Sequence, residues 1–193
     1  MSTTFITHPS FTITHQTMSL DELAKKRYSP YSFSNEPVSE EILHEILDTV
    51  RHAPSSYNEQ PWRFIYALKE DRETYQRLLE CAVADNQKWA KEAPVLLLSL
   101  AKRHFSETGD PNRHAWHDTG MAVGFFVLKA TELGLYVHQM AGFSAEKAYK
   151  NLNIPEEFHP VAMLALGHLG DDDRPDKGRK SVEEIAMRGQ WHM

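Results

Sequence analysis

The chain holds a single cysteine, Cys81, among 193 residues. One cysteine excludes an internal disulfide framework and fits a reducing compartment. Cys81 follows Leu78 and Leu79 in a helical pattern, which favours a packed thiol over a nucleophile. No run of about 18 apolar residues occurs, so no transmembrane helix is expected. The first stretch, MSTTFITHPSFTITHQTMS, has neither a basic lead nor a long apolar core, so it does not read as a signal peptide. Cytoplasmic is the resulting expectation. Positive charge is in deficit as well: Lys+Arg 21 against Asp+Glu 27 gives −6. That argues against a general nucleic-acid binder but leaves room for a local phosphate site. Also missing are a G-x-G-x-x-G fingerprint and a P-loop, which argues against a Rossmann site for a nicotinamide cofactor. No Ser-His-Asp set, paired carboxylates or reactive cysteine stands out, so no catalytic side chain is assigned.

What is present fits a globular protein, with 41% hydrophobic and 25% charged residues. One domain is expected over residues 19–193, behind an arm at 1–18 whose apolar anchors are Phe5, Ile6, Phe11 and Ile13. Ser19 caps a short helix from Leu20 to about Lys26, and Ser39 a second from about Glu40 to Ala53. In the second, Ile42, Leu43, Ile46, Leu47 and Val50 form one buried stripe. Arg63 to Leu68 reads as a strand and Arg72 to Ala84 as a helix. Val95 to Leu100 is short and almost continuously apolar, as a strand buried on both faces would be. Lys102 to Arg113 is a polar loop and a candidate substrate cover. His114 to Leu133 reads as a long helix stopped by Gly134, buried all round from Met121 to Ala130. Gly120 and Gly124 would let another helix approach. Leu135 to Met140 is a strand, Ser144 caps a helix to about Leu152, and Val161 to Leu169 is another buried strand. Ser181 to Glu184 starts a short helix, and Trp191 suggests a docked tail.

The organising stretch is Ala53-Pro54-Ser55-Ser56-Tyr57-Asn58-Glu59-Gln60-Pro61-Trp62. Pro54 ends or kinks the helix before it, and Pro61 stiffens the far end. Ser55, Ser56, Asn58 and Gln60 are neutral hydrogen-bonding side chains that suit a flat polar ring; equally, they are ordinary turn residues. Five other stretches invite a site. Arg27 with Ser29 suits a phosphate, because arginine offers a forked donor set. Gly142 lacks a Cβ, so backbone there can approach a ligand closely. His114 and His117 share a helix face, but no further cluster completes a metal set, so no metal is assigned. The acidic run Asp171 to Asp173 reads as a solvated loop, and Lys177 to Lys180 as a basic patch.

APSSYNEQPWRF resembles the signature loop of the nitroreductase family, the FMN-dependent NAD(P)H oxidoreductases. Matching segments extend from about Leu20 to the C-terminus. Arg27, Tyr28, Ser29 and Phe33 fall on the family's first FMN motif, and Tyr31 stands where many members have Arg or Lys. Asn86-Gln87-Lys88-Trp89 through Ala93-Pro94 resembles the family's approach to its central strand, which carries over Asn86 and Lys88. Met140, Ala141 and Gly142 are carried over as backbone contacts to the flavin's reactive edge. Lys177 and Arg179 take the places of the C-terminal phosphate clamp. Pro54, Ser55, Ser56 and Asn58 are carried over as the loop that meets the flavin of the partner subunit.

The resemblance therefore implies an α+β fold, a three-layer α/β/α sandwich with a central mixed, largely antiparallel sheet, in an obligate homodimer. It implies FMN as cofactor and NADH or NADPH as co-substrate. In the implied ping-pong cycle hydride passes through flavin N5 to a nitroaromatic or quinone acceptor. The cofactor does the hard chemistry, which agrees with the empty catalytic inventory. Relatives that use the flavin for dehalogenation, ring oxidation or flavin breakdown are alternatives, as is a flavin-binding protein without turnover.

Overall fold

The computed structural model describes residues 18–171 and 177–191. Most of the arm and the acidic residues Asp172 and Asp173 lie outside the described residues. Ser19 caps α1 (Leu20–Lys26) through a capping box with Glu22. Ser39 caps α2 (Glu40–Val50), which is shorter than the expected span to Ala53. Arg51, His52 and Ala53 donate instead to Asp48, Thr49 and Val50, so the helix tightens into three-residue turns ahead of Pro54. The chain then enters β1 (Trp62–Leu68).

The single helix expected from Arg72 to Ala84 is two. α3 (Arg72–Leu79) stops early, and α4 (Ala84–Ala90) starts after an extended link. The link is pulled out of helical geometry by a tertiary bridge. Ala82 pairs with Phe143, the Val83 N–H donates to the Gly142 carbonyl, and the Cys81 carbonyl accepts from Ser144. Helical periodicity continues through this stretch, but the bridge wins. Burial raises the Cys81 pKa to about 11, as expected of a packed thiol.

β2 (Val95–Lys102) leads to α5 (Ala115–Glu132), β3 (Tyr136–Met140), α6 (Ala145–Leu152), β4 (Phe158–Gly167) and α7 (Val182–Ile185). The sheet runs β1-β2-β4-β3, and each pairing is antiparallel. Strand alternation splits the interior into two cores. Leu96, Leu98, Leu100, Met163 and Ala165 face a core with Tyr75, Leu78 and Ala148 from α3 and α6. Val95, Leu97, Leu164 and Leu166 face another with Leu43, Ile46 and Phe126 from α2 and α5. This is the three-layer sandwich.

β4 starts at Phe158, before the expected Val161, although Pro160 cannot donate to a ladder. β3 reaches only as far as Met163 along β4, so Pro160 sits where that side of β4 has no neighbouring strand. The β2–β4 register shifts between Ser99 and Leu100. The buried Ser99 hydroxyl repairs the step: it accepts from the Ala162 N–H at 3.2 Å and donates to the Ala162 carbonyl at 3.0 Å.

The loop after β2 is closed on itself: His104 bridges Pro111, and the Asn112 N–H donates to the Arg103 carbonyl. And α5 is not buried all round within one chain. Gly120, Met121 and Gly124 are exposed, and a Cβ at either glycine would meet nothing within 4 Å. Gly134 does take the left-handed stop, at φ 78°. Trp191 is 76% exposed.

Candidate functional site

The Arg27–Phe33 segment lies against the end of β4. Phe33 bridges Leu169, and the Gly170 N–H donates to the Ser32 carbonyl. A Cβ at Gly170 would fall 2.9 Å from the Phe33 backbone carbon, so this close approach requires glycine. Arg27 Nη1 donates to Ser29 Oγ at 3.1 Å. Tyr28 is buried, and Lys177 Nζ sits 5.6 Å from its ring centroid, a cation–π distance. Lys177 is thus brought to the residue next to Arg27, 150 positions earlier in the chain. Arg179 folds back, its Nη1 donating to the Lys177 and Gly178 carbonyls.

Beside this patch is a ring cluster that the sequence reading missed. Tyr31 stands edge-on to Trp89 at 5.2 Å and to His138 at 4.6 Å, and Trp89 lies 4.4 Å from His138. His138 Nδ1 is 2.8 Å from the Pro30 carbonyl, which can only accept, so Nδ1 carries a proton. The histidines read as scattered; nothing local links His138 to residues about 50 and 110 positions away. Trp89 also places α4 beside β3, with Asn86 one turn earlier.

Asn86 Nδ2 donates to the Gly142 carbonyl at 3.0 Å, as does the Val83 N–H at the same distance. A Cβ on Gly142 would come within 2.7 Å of Asn86 Nδ2. Among the described residues the Gly142 N–H has no backbone acceptor. Met140 is buried and Ala141 exposed. Lys88 turns instead to Asp85 at 2.7 Å, on the outer face of α4. That partner holds the lysine pKa above its usual value.

The signature loop is elsewhere. Tyr57, Asn58 and Gln60 all take left-handed backbone, with φ 53°, 54° and 50°. For tyrosine and glutamine this conformation is strained, and it persists only where surroundings impose it. Three anchors do so. Ser55 Oγ accepts from the Gln60 N–H at 3.0 Å. Asp118 Oδ2, on α5, accepts from the Ser56 N–H at 2.9 Å. Glu59 accepts from the Ser106 N–H and hydroxyl, which holds its carboxyl below the usual range. Tyr57 is left 93% exposed. The anchoring role of Asp118 spans 62 residues and has no local signal in the sequence. Among the described residues no group of three metal-ligating side chains occurs.

The strained loop feeds β1, and Gly142 follows β3, at opposite edges of the sheet. Three inter-strand spacings separate those edges, about 14 Å. Asn86 and Gly142 lie on the β3 side, where Tyr31, from the segment that carries Arg27, also packs on His138; Pro54, Ser55, Ser56 and Asn58 lie on the β1 side.

Asp118→Asn should cost about 1.5–3 kcal/mol, because a charge-assisted acceptor for Ser56 is lost. Hydrogen exchange at the Ser56 amide should accelerate. Unaltered Ser56 protection in Asp118→Asn would show the loop to be held by its other anchors.

An antiparallel sheet covered by helices on both faces is the α+β sandwich of the nitroreductase fold. The nitroreductase family model matches residues 24–168, and the chain belongs to that family. It is similar to an NADH dehydrogenase of Thermus thermophilus, 28% identical over 195 residues, covering 85% of this chain and 93% of that one. An FMN reductase of Bacillus subtilis that uses NAD(P)H is 27% identical over 157 residues, covering 72% of this chain and 61% of that one. The crystal structure of an oxidoreductase containing FMN aligns with a TM-score of 0.84 at 33% identity, covering 91% of this chain and 94% of that one.

Proposed function

We propose that this protein is an FMN-dependent oxidoreductase that takes hydride from NADH or NADPH and delivers it to an oxidised acceptor of the nitroaromatic or quinone type, in a ping-pong cycle. One observation carries the reading: Lys177 meets the Arg27–Ser29 segment across Tyr28, so two basic stretches far apart in sequence converge on one patch. The family names of the relatives support the cofactor, and the chain's own residues fit it. Gly142 offers a backbone N–H where a Cβ would clash, and Asn86 fixes that turn.

When bound, FMN supplies the hydride chemistry. Arg27, Lys177 and Arg179 hold its phosphate, with Ser29 and Tyr28 shaping the seat. Asn86 and the backbone of Met140, Ala141 and Gly142 orient the ring, and the Gly142 N–H stabilises negative charge that grows beside it. Lys88 Nζ is held by Asp85 at 2.7 Å. Tyr31 brings a ring where many family members have a cation, packed on Trp89 and His138.

The working unit is a homodimer with two sites. Each half-site is at one edge of the sheet, so a second copy must bring its Pro54–Asn58 loop to the Gly142 turn. The open Gly120–Gly124 face of α5 suits a close helix contact with that copy. Among the described residues no helix is long and apolar enough to cross a membrane.

Purified protein should be yellow, and its flavin absorption should bleach when NADPH or NADH is added without oxygen. Adding a quinone should restore the colour. A colourless protein that FMN cannot reconstitute would end this reading. Bleaching without reoxidation by quinone or nitroaromatic would retain the flavin site and overturn the acceptor class.

A further inference from the structure

A cleft of about 250 Å³ opens at the start of α5, lined by Ala101, Arg103, Asn112, Ala115, Trp116 and His159. None of these residues is assigned above to the flavin. Asn112 is 6% exposed, and its Oδ1 accepts from the His114 N–H at 3.0 Å. Its Nδ2 has no partner among the described residues. A buried amide donor without an acceptor is costly, so this atom is the first pointer to a ligand.

The other lining groups agree on the sign of that ligand. Arg103 Nη2 donates to the Tyr149 hydroxyl at 2.8 Å and lies 3.2 Å from His159 Nδ1. Arginine can only donate, so Nδ1 accepts and Nε2 carries the ring proton. Burial and the Arg103 charge lower the His159 pKa from its usual value, which keeps the ring neutral near pH 7. Trp116 packs 4.8 Å from that ring, at 42°. Ala115 and Trp116 open an 18-residue helix whose N-cap residue, His114, makes no side-chain cap bond, an end that favours negative charge. No lining residue is acidic.

We propose that this cleft binds a small monoanionic carboxylate. Arg103 brings a full positive charge and, beyond the Nη2 bonds to Tyr149 and His159, its remaining guanidinium N–H donors to a carboxylate, and the Asn112 amide supplies a further donor. One full positive charge balances one negative charge; a phosphate dianion would leave the second unmatched. The Trp116 indole, tilted 42° from the His159 ring, gives an aromatic face for a planar ligand. The site lies one helical turn before Asp118, which holds the signature loop.

The test uses the FMN-loaded protein with ¹⁵N-labelled tryptophan, and benzoate as the probe. The Trp116 indole signal, assigned by its loss in Trp116→Phe, should shift saturably with a Kd of about 1 mM. Acetate should compete with benzoate. Benzamide, the neutral analogue, should not shift the signal. Arg103→Gln should weaken benzoate binding by about tenfold or more, and Asn112→Asp should abolish it by setting a carboxylate beside the ligand. Both variants should keep their FMN, so failure here is separable from failure of the flavin assignment. Arg103→Gln covers the case in which Asn112→Asp does not fold. The proposal falls if benzamide binds as well as benzoate, if phosphate binds more tightly, or if Arg103→Gln leaves the shift intact. An unmoved Trp116 signal in the native protein would also overturn it.

Discussion

Replacing Arg27 and Lys177 together with alanine should weaken FMN binding by about 10²- to 10⁴-fold. Each charge-assisted bond to a phosphate is worth about 1.5–3 kcal/mol, or about 10- to 150-fold in Kd. Lys177 packs on the ring of Tyr28, the residue next to Arg27, so the two losses should not add in full. Each single variant should therefore lose more than half of what the pair loses on a logarithmic scale. Lys180→Ala, a neighbouring exposed charge, serves as the control and should stay near the native value. Fluorescence titration of apoprotein with FMN reads the result. A double variant that binds as the native protein does would place the phosphate elsewhere and remove the central support for the proposed function. Raised salt should weaken the native protein more than the double variant, since the screened charges are then already gone.

Phe126→Ala should destabilise the fold by about 3–5 kcal/mol. Phe126 is fully buried between α5 and the sheet, stacked on Phe64 with ring centroids 6.0 Å apart. Truncation removes transfer energy and leaves a hole that the flanking Leu43, Ile46 and Leu164 cannot close without moving. The midpoint of thermal unfolding should fall by about 6–20 °C, measured at one protein concentration because assembly adds to apparent stability. Met121→Ala provides the contrast. That side chain is 40% exposed on the outer face of α5, so single-chain packing loses little and association should suffer instead. A Phe126→Ala protein as stable as the native one would mean that the second core can collapse around the gap.

Much of the fold was legible because its signals are local. The Leu20–Lys26 helix is bounded by a serine cap and acids in its first turn, all adjacent in sequence. The apolar run from Val95 reads as a strand because both of its faces are buried, and Gly134 ends α5 by conformational freedom alone. Illegible features share a different cause. The break between α3 and α4 depends on a bridge to Phe143, some 60 residues on, against a helical pattern that favours continuation. The ring cluster of Tyr31, Trp89 and His138 exists only once β3, α4 and the loop after α1 are in place. Asp118 was visible as an acid near histidines, yet its partner is a backbone N–H from another loop. For the site itself, resemblance supplied the residue roles; the geometry adds which of them share an edge of the sheet.

That division between edges has a genetic consequence in the proposed dimer. A copy crippled at its phosphate seat still presents a sound loop, and a copy with a ruined loop still presents a sound seat. Mixed pairs of two such defective copies would rebuild one complete site from their intact halves, while leaving the other doubly broken. Two inactive alleles expressed together would therefore restore part of the activity that neither supplies alone.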